Sequence, residues 1–309
     1  MLNWLKKLFM LSLVALVAAC GGGDDDGPGN IVQVAKDDAR LGILVEAVTA
    51  AQLADTLSGP GPYTVFAPTN DAFAALLAEL GVTKEQLLAN KPLLTAVLKY
   101  HVLAAKVMQA QVPPGKAITP LEGGVFKIDA VDSALRITDG RNRNSRIVQT
   151  DIAASNGVIH VIDKVLLPAD KTLVQTAQAT PALSILVEAV AAAGLVDTLN
   201  GAGPFTVFAP TNDAFVALLG ELGVTKEQLL ANKPLLTQVL TYHVVPGLVL
   251  KADVPVNTPI KTVQGGSFTV TPALTISDQR ARSARILATD VFAGNGVVHV
   301  IDKVILPAP

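Results

Sequence analysis

The stretch TVFAPTNDAF, residues 64–73, occurs twice in this chain of 309 residues. The second copy is identical letter for letter and lies at residues 206–215, an offset of 142. A second stretch, GVTKEQLLANKPLLT at residues 81–95, recurs at the same offset at residues 223–237. Two long identical stretches at one offset indicate a tandem duplication, and a unit of this length is an ordinary size for one domain.

A third repeated stretch sets the domain boundaries. HVIDKV at residues 160–165 recurs at residues 299–304, an offset of only 139. We expect the three missing residues of the second copy to lie in the loop region after Val249. The repeat predicts two domains, at residues 31–168 and 172–307, with a junction short enough for them to touch.

Within one unit, the helical signals come first. Apolar residues at three- and four-residue spacing predict an amphipathic helix over Leu41–Leu57. A short strand at residues 63–66 should follow it. Three further helices are predicted from a cap at Thr69 or Asn70 with a stop at Gly81, a capping box of Thr83 and Gln86, and Pro92 just inside a helix that runs to Tyr100.

Strand signals follow the helices. Strands are predicted at Val125–Ala130, Leu135–Thr138, Arg146–Asp151 and Val158–Leu167, with turns at Asp139-Gly140 and Asn156-Gly157. Early helices and late antiparallel strands predict an α+β domain.

Three motifs in fixed order give the chain a specific resemblance. TVFAPTNDAF resembles the first signature of fasciclin-like (FAS1) domains, Tyr100-His101 the central Tyr-His motif, and NGVIHVIDKVLLP at residues 156–168 the second signature. All three recur in the second unit. The resemblance implies a wedge-shaped antiparallel β-sandwich of about seven strands with several helices, and a role in adhesion or interaction.

The first thirty residues predict export and anchoring. Residues 1–19 carry two lysines and then an apolar run of only twelve residues, which is typical of a secretory signal and too short to span a bilayer. They end before Cys20, the only cysteine, in a pattern that resembles the bacterial lipobox. We expect a lipidated Cys20, a flexible tether at residues 20–30, and a place in the cell envelope, with Gly21 favouring the outer membrane.

Composition excludes several function classes. Without the signal, 22 basic and 26 acidic residues remain, so the exported chain is mildly acidic and nonspecific nucleic-acid binding is not expected. The sequence has no G-x-S-x-G, H-E-x-x-H or phosphate-loop motif. We therefore expect no catalytic residues and no cofactor. The membrane contact should be the lipid anchor alone.

The four histidines and two aspartates of the motifs are expected to be structural. His101, His160, His243 and His299 give only two histidines per unit, with no cysteine to complete a metal site. Asp163 and Asp302 share a strand face with apolar residues, if the strand is regular, so each must be paired. We expect Asp163 to bind backbone N–H groups or a hydroxyl of the early helical part.

Three sets of residues are candidate binding sites. The resemblance implies one site at the Tyr-His pairs and another at an Asp-Ile pair before the second signature, because both regions are linked to integrin binding in animal fasciclin proteins. The Tyr-His pairs could instead anchor the packing of a helix end, and the second unit departs from the Asp-Ile pattern with Asp290-Val291. Arginines at two predicted hairpin tips could bind anionic glycans, unless they only keep the turns soluble. The candidates are Tyr100, His101, Tyr242 and His243; Asp151, Ile152, Asp290 and Val291; and Arg141, Arg143, Arg280 and Arg282.

Three functions are therefore compared. The first is a cell-envelope adhesion or interaction protein that binds matrix, glycan or protein partners. The second is a lipoprotein that carries or senses a small apolar ligand in a cleft between sheet and helices. The third is an unrecognised hydrolase, for which histidines of perturbed pKa in a pocket would be needed.

Overall fold

The computed structural model describes residues 27–309 with the exception of Ser133. The predicted signal, Cys20 and most of the predicted tether lie outside the described residues. Six helices and seven strands make up each repeat unit, in the same order.

The first domain begins with its helical part. Its helices are α1 (Ile31–Asp37), α2 (Gly42–Ala50), α3 (Ala54–Ser58), α4 (Asn70–Leu80), α5 (Lys84–Ala89) and α6 (Lys91–Tyr100). Its strands are β1 (Tyr63–Pro68), β2 (Val102–Leu103), β3 (Ala117–Ile118), β4 (Phe126–Val131), β5 (Ala134–Thr138), β6 (Asn144–Ala154) and β7 (Gly157–Ile162).

The second domain repeats this order. Its helices are α7 (Leu173–Gln178), α8 (Ser184–Ala193), α9 (Val196–Asn200), α10 (Asn212–Leu222), α11 (Lys226–Ala231) and α12 (Lys233–Tyr242). Its strands are β8 (Phe205–Pro210), β9 (Val244–Pro246), β10 (Ile260–Lys261), β11 (Ser267–Val270), β12 (Thr275–Ser277), β13 (Ser283–Ala293) and β14 (Gly296–Ile301).

Local capping chemistry places the helix starts as predicted. The Thr69 hydroxyl accepts from Ala72 N at the start of α4, and Gly81 ends that helix in the left-handed conformation. Thr83 and Gln86 form both bonds of a capping box at α5. The predicted helix over residues 41–57 is instead broken into α2 and α3, because Gln52 takes a left-handed φ of 59° and Leu53 N closes back onto Val48 O.

Each domain contains one seven-stranded sheet. In the first domain the order is β2-β1-β7-β6-β5-β4-β3. The predicted α+β class is confirmed, with one difference in pairing: β1 and β7 run parallel, while the other neighbours are antiparallel. A parallel pair needs a long connection, and here helices α4 to α6 and five strands lie between its two members.

Two layers of apolar side chains fill each domain. One layer lies between the helices and strands β1 and β7, and includes Leu44, Phe73 and Leu94. The other lies inside the curved sheet, where Phe66 on β1 meets Phe126 on β4 edge to face, with ring centroids 5.3 Å apart. The sheet therefore folds back on itself, which is the sandwich-like arrangement that the family resemblance implies.

The register of the strands locates the three-residue difference between the two units. Phe126 on β4 and Phe268 on β11 hold equivalent ladder positions at the offset of 142. The offset is already 139 at Ile137 on β5 and Ile276 on β12. The expectation that the residues are lost after Val249 is therefore wrong: the β11–β12 hairpin is shorter than β4–β5, and a hairpin can shorten at its turn without disturbing the remaining ladder.

Candidate functional site

The Tyr-His motif lies at the end of α6, inside the domain. Tyr100 and His101 are both buried. The Tyr100 hydroxyl donates to Val125 O (2.6 Å) and accepts from Gly140 N (2.8 Å), so it joins the start of β4 to the β5–β6 turn. Burial raises the pKa of Tyr100 above its ordinary value.

His101 uses both ring nitrogens inside the domain. Its Nδ1 lies 2.7 Å from Val97 O, and its Nε2 accepts from Leu166 N at 2.9 Å. This pattern needs the neutral ring with the proton on Nδ1, because a proton on Nε2 would face a backbone N–H. Burial lowers the pKa of His101 to about 4. His243 repeats the contacts with Val239 O and Ile305 N, and its pKa is also lowered to about 4 by burial.

This arrangement predicts sensitivity to mild acid. The unfolded chain takes up a proton on His101 and His243 below pH 6.5, while the folded chain resists protonation until about pH 4. Stability is therefore lost as the pH falls from 6.5 towards 4, by roughly 2 kcal/mol per domain at pH 5. Urea denaturation at pH 7 and pH 5, with the histidine C2–H resonances followed by NMR, tests this. A folded-state pKa near 6.5 for either ring would contradict it.

The second-signature histidines are also held internally. His160 Nε2 lies 2.9 Å from Val107 O, and its Nδ1 accepts from Asp151 N at 3.2 Å. His299 makes the same two contacts, with Val249 O and Asp290 N. Burial lowers the pKa of His299. None of the four rings is exposed, so the Tyr-His pairs are not retained as partner-binding candidates.

Asp163 is not the buried carboxylate that the sequence predicts. The predicted strand to Leu167 ends at Ile162, so the alternation argument stops one residue before Asp163. Its carboxylate accepts from Arg146 N, Arg146 Nε and Ser145 Oγ, all on β6, and not from the helical part as expected. Partial burial raises the pKa of Asp163, but these bonds outweigh it and leave the pKa below its ordinary value. Asp302 binds Arg285 in the same way.

The carboxylate that the sequence analysis missed is Asp139. It is buried in the β5–β6 turn and accepts N–H bonds from Arg141, Arg143 and Leu167 within 3.0 Å. Arg143 Nε adds a fourth bond at 3.0 Å. Its only signal in the sequence is the Asp-Gly turn, which does not reveal the partner 28 residues away.

The arginines of the hairpin tips are engaged within the chain. Arg143 binds Asp139, Glu79 and Val165 O, and Arg141 pairs with Asp170 at 3.2 Å. In the second domain, Arg280 donates to Pro307 O and Arg282 pairs with Glu221. These contacts fix the tips to their own domains, so a free basic tip for anionic glycans is not retained.

Asp151 and Asp290 have the same backbone conformation and the same hydrogen bond to a backbone N–H group. Both take a left-handed φ, of 60° and 58°. The Oδ1 atom of Asp151 accepts from Gln109 N at 2.9 Å, and that of Asp290 from Lys251 N at 2.7 Å. Left-handed residues other than glycine are concentrated at functional sites.

The two aspartates differ in exposure. The Asp151 side chain is 32% exposed, while that of Asp290 is 2% exposed. Asp290 Oδ2 binds Lys127 Nζ of the first domain at 2.7 Å. Ile152 and Val291, the second members of these pairs, pack partly against the cores of their own domains. Among the Asp-Ile candidates, Asp151 is thus the side chain that remains accessible.

Further contacts join the two domains around Lys127 and Asp290. The side chain of Asn142, at the β5–β6 tip, donates to Phe292 O (3.1 Å) and accepts from Phe292 N (2.6 Å). Phe292 is packed in a cluster with Leu250 and Val125, the last of these from the first domain. A buried ion pair, a paired amide and an apolar contact hold the domains together.

Comparison with known proteins agrees with this architecture. The profile of the fasciclin domain matches residues 39–168 and 181–307. The chain belongs to the fasciclin domain family. The similarity covers most of the described chain and both repeat units.

Several known proteins share fasciclin domains with this chain. Human periostin is 29% identical over 270 residues, which are 86% of this chain and 30% of periostin. The transforming growth factor-beta-induced protein ig-h3 of Sus scrofa is 29% identical over 83% of this chain and 36% of its own length. The chain thus spans about a third of these two relatives. Protein sll1483 of Synechocystis sp. is 43% identical over 46% of this chain and 76% of the relative.

A solved structure has a similar domain pair. It is a FAS1 domain pair from the insect cell adhesion molecule Fasciclin I, 17% identical, covering 89% of this chain and 96% of that chain with a TM-score of 0.44.

The fasciclin domains contain small internal cavities and a larger cleft between them. An apolar cavity of about 30 Å³ lies between sheet and helices in each domain, bordered by His101 or His243. Such a volume is about that of one water molecule. The cleft between the domains measures about 650 Å³ and is lined by Val125, Leu248 and Phe292, with Glu122 at one side.

Two structural features bear on metal binding and membrane insertion by the fasciclin domains. Within the described residues, no three His, Cys, Asp or Glu side chains converge as metal ligands would. In the same part of the chain, no helix has the length and hydrophobicity needed to cross a bilayer.

Proposed function

We propose that the chain is an exported, lipid-anchored protein of the cell envelope that acts in adhesion or interaction, through partners bound by its fasciclin domains. One observation carries the proposal. In the second domain, the face formed by Asp290, Leu250 and Phe292 (the Asp290 face) binds the first fasciclin domain. The equivalent face of the first domain, formed by Asp151, Met108 and Ala153 (the Asp151 face), is partly exposed. Because the equivalent Asp290 face binds a protein domain, the Asp151 face is the best candidate for a partner site.

The groups that an enzyme would use support the same view. Both nitrogens of His101 and of His160 are bonded to backbone groups. Burial is the first cause of the lowered pKa of His101, so the low pKa does not indicate a catalytic role. A general base needs a free nitrogen within reach of a substrate proton, and in the described chain these rings offer none.

Removal of the gene tests the function directly. A strain of the native host without this gene should lose surface attachment or aggregation, and the parental gene should restore it. Asp151→Asn should fail to restore it, while Asp163→Asn, at a carboxylate of similar exposure (30%) on the same domain, should restore it. A deletion strain that still attaches and aggregates like its parent would contradict the proposed function.

The lipid anchor is a separate part of the proposal. Mass spectrometry of the chain purified from its host should find an acylated Cys20 at the N-terminus. Cys20→Ala should release the protein from the membrane fraction. An unmodified Cys20 in the membrane-bound protein would contradict anchoring but would leave the interaction function standing.

A second candidate function is the carriage of a small apolar ligand, and it is favoured by the cleft of about 650 Å³ between the domains. Ligand sites of proteins commonly have this size and lie at domain interfaces. Native mass spectrometry of the chain purified from its host tests it. A co-purified small molecule that is lost in Lys127→Met, where the interface is broken, would favour the carrier over the adhesion protein.

A further inference from the structure

The interface between the domains shows what the Asp290 face binds. Its ligand is the start of strand β4, where Val125 and Lys127 point towards the second domain and Phe126 between them points into the first. This is the alternation expected of an extended segment. The bound pattern is therefore an apolar residue followed, two positions later, by a lysine.

The Asp151 face of the first domain has the same lysine-binding carboxylate arrangement as the Asp290 face. Asp151 has the same left-handed backbone conformation as Asp290. Its Oδ1 atom accepts from Gln109 N, and its Oδ2 atom has no hydrogen-bond partner in the described chain. In the second domain the corresponding oxygen, Asp290 Oδ2, is the atom that holds the ammonium group of Lys127. The Asp151 site thus has an acceptor for a cation that no residue of the described chain supplies.

The apolar part of the Asp151 face is more open than that of the Asp290 face. Met108 is half-buried where Leu250 is fully buried in the second domain. Ala153 is exposed where the buried Phe292 covers Leu250. A partner must therefore fill the space of the missing phenyl ring with a larger apolar side chain than valine.

The β4 segment that Asp290 binds is not available in a second copy of this chain. Its Lys127 is already bound to its own Asp290. On the free face of the second domain, the residues equivalent to Val125 and Lys127 are Ser267 and Thr269, which offer neither a large apolar group nor a charge. Neither of these two equivalent segments of a second copy therefore fits the Asp151 face.

We propose that the Asp151 face of the first domain binds an extended segment of a partner protein that presents a large apolar residue two positions before a lysine. This inference rests on the proposed interaction function and names the chemistry of its partner. The lysine pairs with Asp151 Oδ2, and the apolar side chain packs on Met108 over Ala153.

Peptide titration of the chain without its predicted signal and anchor, residues 27–309, tests the inference. The probe is the blocked peptide acetyl-Gly-Leu-Thr-Lys-Thr-Gly-amide, followed by NMR. We expect saturable shifts at Met108, Gln109 and Asp151. Gln in place of Lys in the peptide, and Asp151→Asn in the protein, should each weaken binding at least tenfold, because each removes a charge-assisted hydrogen bond.

Two further variants make the test specific. Asp163→Asn should leave the affinity for the peptide unchanged. Ala153→Phe restores the ring found at Phe292, so it should reverse the preference from a leucine peptide to one with valine. No saturable binding, or equal affinity of the parent and Asp151→Asn, would overturn the inference.

The outcomes separate the inference from the proposed function. If Asp151→Asn abolishes attachment in the host but the peptide does not bind, the interaction function stands and the lysine-segment inference is wrong. If the peptide binds through Asp151 but Asp151→Asn restores attachment fully, the inference stands and the proposed role of this face in attachment is wrong.

Discussion

Asp139→Ala should destabilise the first domain by roughly 4 kcal/mol, because one buried and two partly buried backbone N–H groups and the Arg143 Nε lose their acceptor. Asp139 is buried and binds the turn residues Arg141 and Arg143 as well as Leu167, beyond the end of β7. Its loss should free the β5–β6 turn from the C-terminal segment of the domain. Equilibrium urea denaturation of the variant measures the loss.

Asp163→Ala is the matched control for Asp139→Ala. Asp163 also accepts three hydrogen bonds, but its side chain is 30% exposed and water can replace the carboxylate. We expect a cost of about 1–2 kcal/mol, which is below the 2 kcal/mol or more that a fully buried carboxylate would imply. An Asp163→Ala variant at least as unstable as Asp139→Ala would show that exposure does not decide the cost.

Lys127→Met should uncouple the two domains. The variant keeps the unbranched apolar part of the side chain but leaves Asp290, 2% exposed, without its cation. Breaking one side of a buried ion pair costs about 3–5 kcal/mol when the partner stays buried. The interface should therefore open and return Asp290 to water. We expect a loss of about 3 kcal/mol of coupling between the domains.

Separate unfolding of the domains is the measurable sign of that loss. Calorimetry of Lys127→Met should resolve two transitions, and proteolysis at residues 169–171 should become faster. Lys116→Met is the control, because Lys116 and Asp253 are 55% and 36% exposed and such a pair contributes under about 1 kcal/mol. A double-mutant cycle with Asp290→Asn isolates the pair. A Lys127→Met variant with the parental unfolding curve and proteolysis rate would contradict a coupling role.

Both variants also bear on the proposed partner site. Lys127→Met exposes Asp290, so the second domain should gain a receptor for the lysine peptide. Asp139→Ala acts at the far end of the β5–β6 hairpin from Asp151 and should leave the peptide affinity of the folded fraction unchanged. The two variants thus distinguish a change in the site from a change in domain stability.

The sequence by itself determined the duplication, the order of helices and strands, and most helix ends. These features depend on neighbours a few residues apart: the Thr69 cap, the Thr83–Gln86 box and the Gly81 stop all act within one or two helical turns. The repeated motifs also indicated the family, because long identical stretches at one offset can be recognised without a structure.

The tertiary structure decided the partners of the charged residues. The sequence indicates Asp163 as the anchor and Asp139 only as a turn residue, but the fold brings Leu167 N to Asp139 and leaves Asp163 30% exposed. Asp151 and Asp290 occupy equivalent positions, and only the contact with Lys127 closes one and leaves the other open. The physical reason is that burial and pairing depend on groups distant in the chain, whereas caps and periodicity depend on near neighbours.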